Sequence, residues 1–176
     1  DTNGRLVVTS ANQSAYHMRR QVSKALGIPL SKVRVIKPRI GGGFGGKNIA
    51  VTEIYASFVT WMTKRPAKLI YTREETFAMT NTRHQMFFDI KIGADKEGNI
   101  KAIDMKALNN TGAYGDNGPS VCSESGHNVL PTYNNVPAIK FDGRTVYTNL
   151  VPGGALRGYG ATQGTFALDC AIDELA

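Results

Sequence analysis

The sequence predicts an α/β protein of the mixed, α+β type, in which helices pack on mixed sheets that include an antiparallel hairpin. Two observations carry that prediction. A strand-like run, a glycine-rich stretch and a helix-like run follow one another twice, over Val33 to Thr63 and again over Ala138 to Ala176. Between them, the alternating runs Met86 to Ile92 and Ile100 to Ala107 are joined through Asp95-Lys96-Glu97-Gly98-Asn99, a composition that turns a chain back on itself.

Taken in order, Leu6-Val7-Val8-Thr9-Ser10 is β-rich. The apolar positions Met18, Val22, Ala25 and Leu26 then recur at helical spacing from Tyr16 to Leu26, with Asn12 or Ser14 as the N-cap and Gly27 as the stop. Lys32 to Ile36 is β-branched and alternating, and it feeds the first glycine stretch. Ala50 to Thr63 carries only Glu53 as a charge, so a helix buried on most sides is expected. Ala67 to Tyr71 reads as a further strand, and Thr72-Arg73-Glu74-Glu75 has the capping-box pattern for a short helix toward Met79. Gly112 to Asn128 is rich in Gly, Ser and Asn, which predicts loops with one helical turn near Cys122 to Gly126. A strand over Ala138 to Asn149 follows, with Asp142-Gly143 as a turn or bulge, and Pro152 to Gly164 leads into the terminal helix. The 176 residues are expected to fold as one region, or as two small lobes divided near 72–84.

Arg39-Ile-Gly-Gly-Gly-Phe-Gly-Gly-Lys-Asn48 is the stretch where chemistry is expected. With almost no Cβ atoms, such a backbone reaches positive φ and lets a ligand approach closely, and a loop between strand and helix can converge N–H groups on an anion. Gly41, Gly46 and Lys47 match the start of a phosphate-binding loop, but position 48 is Asn where a Mg²⁺-binding Ser or Thr is required. Gly41, Gly43 and Gly46 also match a dinucleotide fingerprint, yet about 20 positions on, where an acidic residue is needed for the ribose, the chain reads Trp-Met-Thr-Lys-Arg. A nucleotide- or phosphate-binding module built on Gly41 to Lys47 is therefore the alternative reading. The second glycine stretch predicts two sides of one ligand site.

A hydrophobic content of 41% and a charged content of 20% fit a globular protein, and no apolar run has the length of a membrane span. The net charge of +7 is spread along the chain without a basic cluster, which excludes a nucleic-acid arm. Cys122 and Cys170 form no C-x-x-C pair and read as reduced thiols in a cytoplasmic protein. The start at Asp1 without Met, and the end inside an apolar periodicity, read as a piece of a larger protein.

Gly42-Gly43-Phe44-Gly45-Gly46-Lys47, followed later by Ala155-Leu156-Arg157-Gly158-Tyr159-Gly160-Ala161-Thr162-Gln163-Gly164, resembles the molybdenum-binding subunit of the xanthine dehydrogenase and aldehyde oxidase family. The resemblance covers essentially the whole chain and identifies it as one internal segment of a longer subunit. It implies a hydroxylase of N-heterocycles or aldehydes whose molybdenum is held through a pterin dithiolene, the pterin being free or extended as a dinucleotide. Electrons would pass to iron–sulfur clusters and FAD on other domains or subunits. No membrane or nucleic-acid partner is implied. Residue by residue, the resemblance places Gln13 at an amide reaching an oxygen on molybdenum, and Gly42, Gly43, Phe44 and Gly45 at the loop facing the metal centre. It places Arg157 beside the cofactor, where the alternative is an ion pair with Asp169 or Asp173, and Tyr159 where an aromatic ring stacks on a flat substrate. Asn48 stands on the substrate side.

Two departures qualify it. Purine-oxidising members carry Glu where this chain has Asn48, and an Arg expected near Ser123 to Gly126 is missing, which puts xanthine in doubt and leaves another heterocycle, an aldehyde or an aryl thioester. The family's general-base Glu is expected outside these residues, so the segment alone is expected to be inactive.

Overall fold

The computed structural model describes residues 1–176, which form two compact units, Asp1–Thr80 and Asn81–Ala176. In the first unit, β1 (Leu6–Thr9) and β2 (Val33–Ile36) pair in parallel, Leu6 opposite Val33 and Thr9 opposite Ile36. A parallel pair needs a crossover, and α1 (Ala15–Leu26) supplies it. Ser14 caps its start, Oγ accepting the His17 N–H, and Gly27 ends it at φ 65°. Met18 and Val22 of α1 are buried against Leu6, Val8 and Val33. Each such side chain contributes on the order of 1.5–3 kcal/mol. α2 (Glu53–Thr63) and α3 (Arg73–Met79) follow; the capping box at Thr72 and Glu75 is present in both directions, at 3.2 and 2.8 Å.

Two expectations fail in this unit. α2 is not buried on most sides: Ser57 is its fully buried residue, whereas Tyr55, Phe58, Val59 and Met62 are exposed. A sheet only two strands wide, with one helix beside it, covers one side of a second helix. Ala67 to Tyr71 forms no strand: β1 and β2 make up the whole sheet, and this segment pairs with the open edge of neither.

The second unit is a three-stranded mixed sheet in the order β3-β4-β5, with β3 spanning Gln85–Ala94, β4 Ile100–Asn110 and β5 Ala138–Val146. β3 and β4 are the expected antiparallel hairpin. At its turn Asp95 Oδ1 accepts the N–H groups of Glu97 and Asn99, at 3.2 and 2.8 Å, and Lys101 Nζ lies 2.9 Å from Asp95 Oδ2. β5 runs parallel to β4, reached through α4 (Gly118–His127), and α5 (Ala161–Leu175) closes the chain. Ile103 and Met105 pack with Val129, Leu130, Val136 and Leu168 as the core. On the opposite face, register aligns Lys91, Asp104 and Lys140 in one row and Asp89, Lys106 and Asp142 in the next, so neighbouring charges alternate in sign.

The single helical turn expected near Cys122 is a helix of 10 residues. Its Gly, Pro and Ser residues have poor intrinsic propensity, but small side chains let it lie close to its neighbours. A Cβ on Gly126 would stand 2.5 Å from the Phe141 ring, and one on Gly164 of α5 would run into the Ser125 carbonyl oxygen. Asp142-Gly143 is neither turn nor bulge: Gly143 sits in register opposite Ala107, and the strand stops at Val146 rather than Asn149. No helix is long and apolar enough to cross a membrane.

Candidate functional site

The first glycine loop joins β2 to α2, and its shape is held by side chains from the flanking helices. Gln13, just before the cap of α1, accepts the Gly45 N–H at 2.9 Å and the Lys47 N–H at 3.2 Å through Oε1, while its own N–H donates to the Lys47 carbonyl at 2.9 Å. Gln21, two turns further along α1, accepts the Ala50 N–H at 2.6 Å and donates through Nε2 to the Asn48 carbonyl at 3.3 Å. Glu53 opens α2 and accepts the Val51 N–H at 2.9 Å and the Ser10 hydroxyl at 2.5 Å. Gly46 and Asn48 donate to the carbonyls of Gly43 and Gly45. The amides of 45 to 48, 50 and 51 are thus all engaged inside the protein, which removes most of the donors that an anion-cradling loop would need.

Gly42 and Gly43 are required by contact. A Cβ on Gly43 would collide with the Gln13 side chain, and one on Gly42, at φ 142°, would lie 2.7 Å from the Phe44 ring. Phe44 itself holds φ 50°, a left-handed conformation that costs a non-glycine residue on the order of 1 kcal/mol or more. Phe44 is 62% exposed. Asn48 is exposed as well. Beneath the loop Asn12 is buried; its Nδ2 donates to the Ser10 carbonyl at 3.0 Å, and its Oδ1 has no protein partner. Gln13, Gly42, Gly43, Phe44, Gly45 and Asn48 therefore share one surface feature of the first unit.

The second glycine loop, in the second unit, joins β5 to α5. Tyr159 sits at φ 48° between Gly158 at 89° and Gly160 at 102°, and its hydroxyl lies 2.7 Å from Ser120 Oγ. Arg157 is exposed and pairs with neither Asp169 nor Asp173; the Asp169 carboxylate accepts the Tyr133 hydroxyl at 3.1 Å. The segment Asn81 to His84 runs along this loop: Thr82 donates to the Pro152 carbonyl and accepts from Gly154. Arg83 donates to the Arg157 carbonyl at 2.8 Å. Behind the loop His84 is buried with neither ring nitrogen bonded, and burial pushes its pKa below the usual value. Burial raises the neighbouring Asp116, whose carboxylate accepts from Asn81 at 2.5 Å. Burial also raises the Cys122 thiol, leaving it protonated and inert.

Gln21, Glu53 and Arg83 are the residues that motif reading missed. Only Glu53, the lone charge in an otherwise apolar helix, carried a signal in the sequence.

No group of three or more His, Cys, Asp or Glu side chains is arranged to hold a metal ion directly. The family model described as a molybdopterin cofactor-binding domain matches residues 1–176. The chain is 40% identical over 177 residues to a putative xanthine dehydrogenase molybdenum-binding subunit of Escherichia coli, covering 100% of this chain and 23% of that protein. It is 35% identical over 176 residues to the nicotinate dehydrogenase large molybdopterin subunit of Eubacterium barkeri, covering 100% of this chain and 41% of that protein. Among solved structures, the aldehyde oxidoreductase of Desulfovibrio gigas superimposes with a TM-score of 0.91 at 27% identity, over 100% of this chain and 19% of that one. The chain thus spans well under half the length of these relatives.

Proposed function

The chain belongs to the molybdopterin cofactor-binding domain family, and we propose that it holds part of a molybdenum–pterin cofactor and lines part of the substrate pocket of a larger hydroxylase acting on an N-heterocycle or an aldehyde. The observation that carries this reading is the orientation of Gln13. Two backbone N–H groups fix its carbonyl oxygen, and its NH₂ end, a double donor, is left without a hydrogen bond to the protein. Such a donor fits an oxygen-rich cofactor and has no use as a metal ligand.

When bound, the cofactor supplies the two-electron oxidation of the substrate carbon. Gln13 would donate to one of its oxygens; Gly43 makes room for the Gln13 side chain and Gly42 for the Phe44 ring, and the loop Gly42–Gly45 with Phe44 would form the wall against which the group is held. Arg157 binds with a planar fork of donors. Tyr159 stacks on a flat substrate, and Asn48, able both to donate and to accept, reads its polar edge. The base that takes the substrate-side proton is a Glu in the rest of the protein. Electrons leave to iron–sulfur and FAD domains or subunits. The free cysteines, Cys122 and Cys170, favour a cytoplasmic enzyme. The name of the Eubacterium barkeri relative supports an N-heterocycle. Asn48 in place of an acid argues against xanthine.

Two variants of the intact protein test the assignment. Arg157→Lys keeps the charge but loses the fork, so molybdenum content or kcat/KM falls for every substrate alike. Asn48→Ala leaves metal content intact and changes kcat/KM unequally across a panel of heterocycles and aldehydes. Unchanged metal content and unchanged rates in Arg157→Lys would overturn the reading of the second loop.

A further inference from the structure

We propose that Arg83 is a positioning residue that sets the conformation of the segment Arg157 to Gln163, and through it the placement of Arg157 and Tyr159; the inference rests on the functional reading given above. Its guanidinium reaches three acceptors on that segment: the Arg157 carbonyl at 2.8 Å, Gln163 Oε1 at 3.2 Å and Thr162 Oγ1 at 3.3 Å. The ring of contacts is closed on both sides. Thr162 Oγ1 donates to the same Arg157 carbonyl at 3.1 Å, and Gln163 Nε2 donates back to the His84 carbonyl at 3.2 Å.

Two features of the segment separate this from ordinary surface bonding. First, Tyr159, between Gly158 and Gly160, is a non-glycine residue with positive φ, and such a conformation persists only where its surroundings over-determine it. Arg83 bonds on either side of it, at 157 before and at 162 and 163 after, so one rigid group spans the strained residue. Second, Thr162 and Gln163 lie in the first turn of α5, the positive end of its dipole, where a cation is disfavoured. Arg83 therefore does nothing electrostatically for the helix it touches, and its hydrogen bonds to the loop are what hold it there. A lysine cannot replace it, because a single ammonium does not bridge acceptors in a fixed planar fork.

The test uses the intact, cofactor-loaded protein and its metal-free form, with Arg83→Lys, Tyr159→Ala and the double variant. Amide hydrogen exchange is followed in residues 156–163 and, as a control, in 103–109 of β4, together with KM and kcat. Losing charge-assisted bonds to the segment should speed exchange over 156–163 by about tenfold in both forms, with 103–109 unchanged. KM should rise in Arg83→Lys and in Tyr159→Ala, and the double variant should exceed the larger single effect by much less than the product of the two. If Tyr159→Ala raises KM while Arg83→Lys leaves exchange and KM unchanged, the inference is overturned and the functional reading stands. Faster exchange in 103–109 as well would make Arg83 a general structural residue and overturn its positioning role. If Tyr159→Ala changes neither KM nor metal content, the functional reading falls and takes the inference with it.

Discussion

Replacing Gln13 separates its two ends. In Gln13→Leu the acceptor is lost, and the N–H groups of Gly45 and Lys47, held at 2.9 and 3.2 Å, go without their partner. Two neutral hydrogen bonds contribute about 1 kcal/mol each, the longer one less, so the loop should lose about 1–2 kcal/mol of local stability. The population of its opened form should rise by a factor of about 5–30. Gln13→Glu keeps an acceptor for both N–H groups and exchanges the NH₂ for a second oxygen, so the loop should stay closed. In the intact protein, amide exchange at positions 45 and 47 should accelerate in Gln13→Leu and not in Gln13→Glu, while both variants lose molybdenum content or turnover. Unchanged exchange in Gln13→Leu would refute the scaffold argument. Full metal content and full turnover in Gln13→Glu would remove the NH₂ from the cofactor site.

Gly164→Ala should destabilise the second unit even though Ala is the better helix former. Its propensity gain of about 0.5–1 kcal/mol is smaller than the cost, typically 1–3 kcal/mol, of forcing a methyl group against the Ser125 backbone, where the carbonyl carbon would be only 2.9 Å away; a higher melting temperature in the variant would contradict this. Asp95, held down to about 2 by Lys101 first and then by Asn99, has a folded pKa below its unfolded value. The stabilisation it gives the hairpin is therefore present above about pH 4 and lost as pH falls through about 2. The stability gap between the wild type and Asp95→Asn should close over that range in pH-dependent melts. Mg-ATP should bind no better than a bulk anion by calorimetry, since Asn48 offers no Mg²⁺-ligating hydroxyl and the loop amides are taken; micromolar affinity that depends on Lys47 would reinstate the nucleotide reading.

Local chemistry made parts of the fold legible. The Ser14 cap, the Gly27 stop, the Thr72 capping box and the hairpin at Asp95 each depend on neighbours within a few positions, and each is found where the residues place it. What failed depended on distant partners. Ala67 to Tyr71 has strand chemistry but pairs with neither strand, and Gly118, Gly126 and the small side chains of α4 fit closely against β5 and α5, a packing that propensity does not contain. The candidate site divides the same way. Glycine spacing marks both loops, whereas Gln21 reaches Ala50 across 29 positions and Arg83 reaches Gln163 across 80, pairings that no motif encodes.

The bonds that Gln13, Gln21 and Glu53 make to the first glycine loop bear on how such a protein comes to be loaded. A loop left slack until its ligand arrives would have to give up about 1–2 kcal/mol of backbone entropy per residue at the moment of binding. In this loop the amides of 45, 47, 50 and 51 are instead secured by side chains of the same unit. Its order is set by the folding of the first unit and asks for no further backbone entropy.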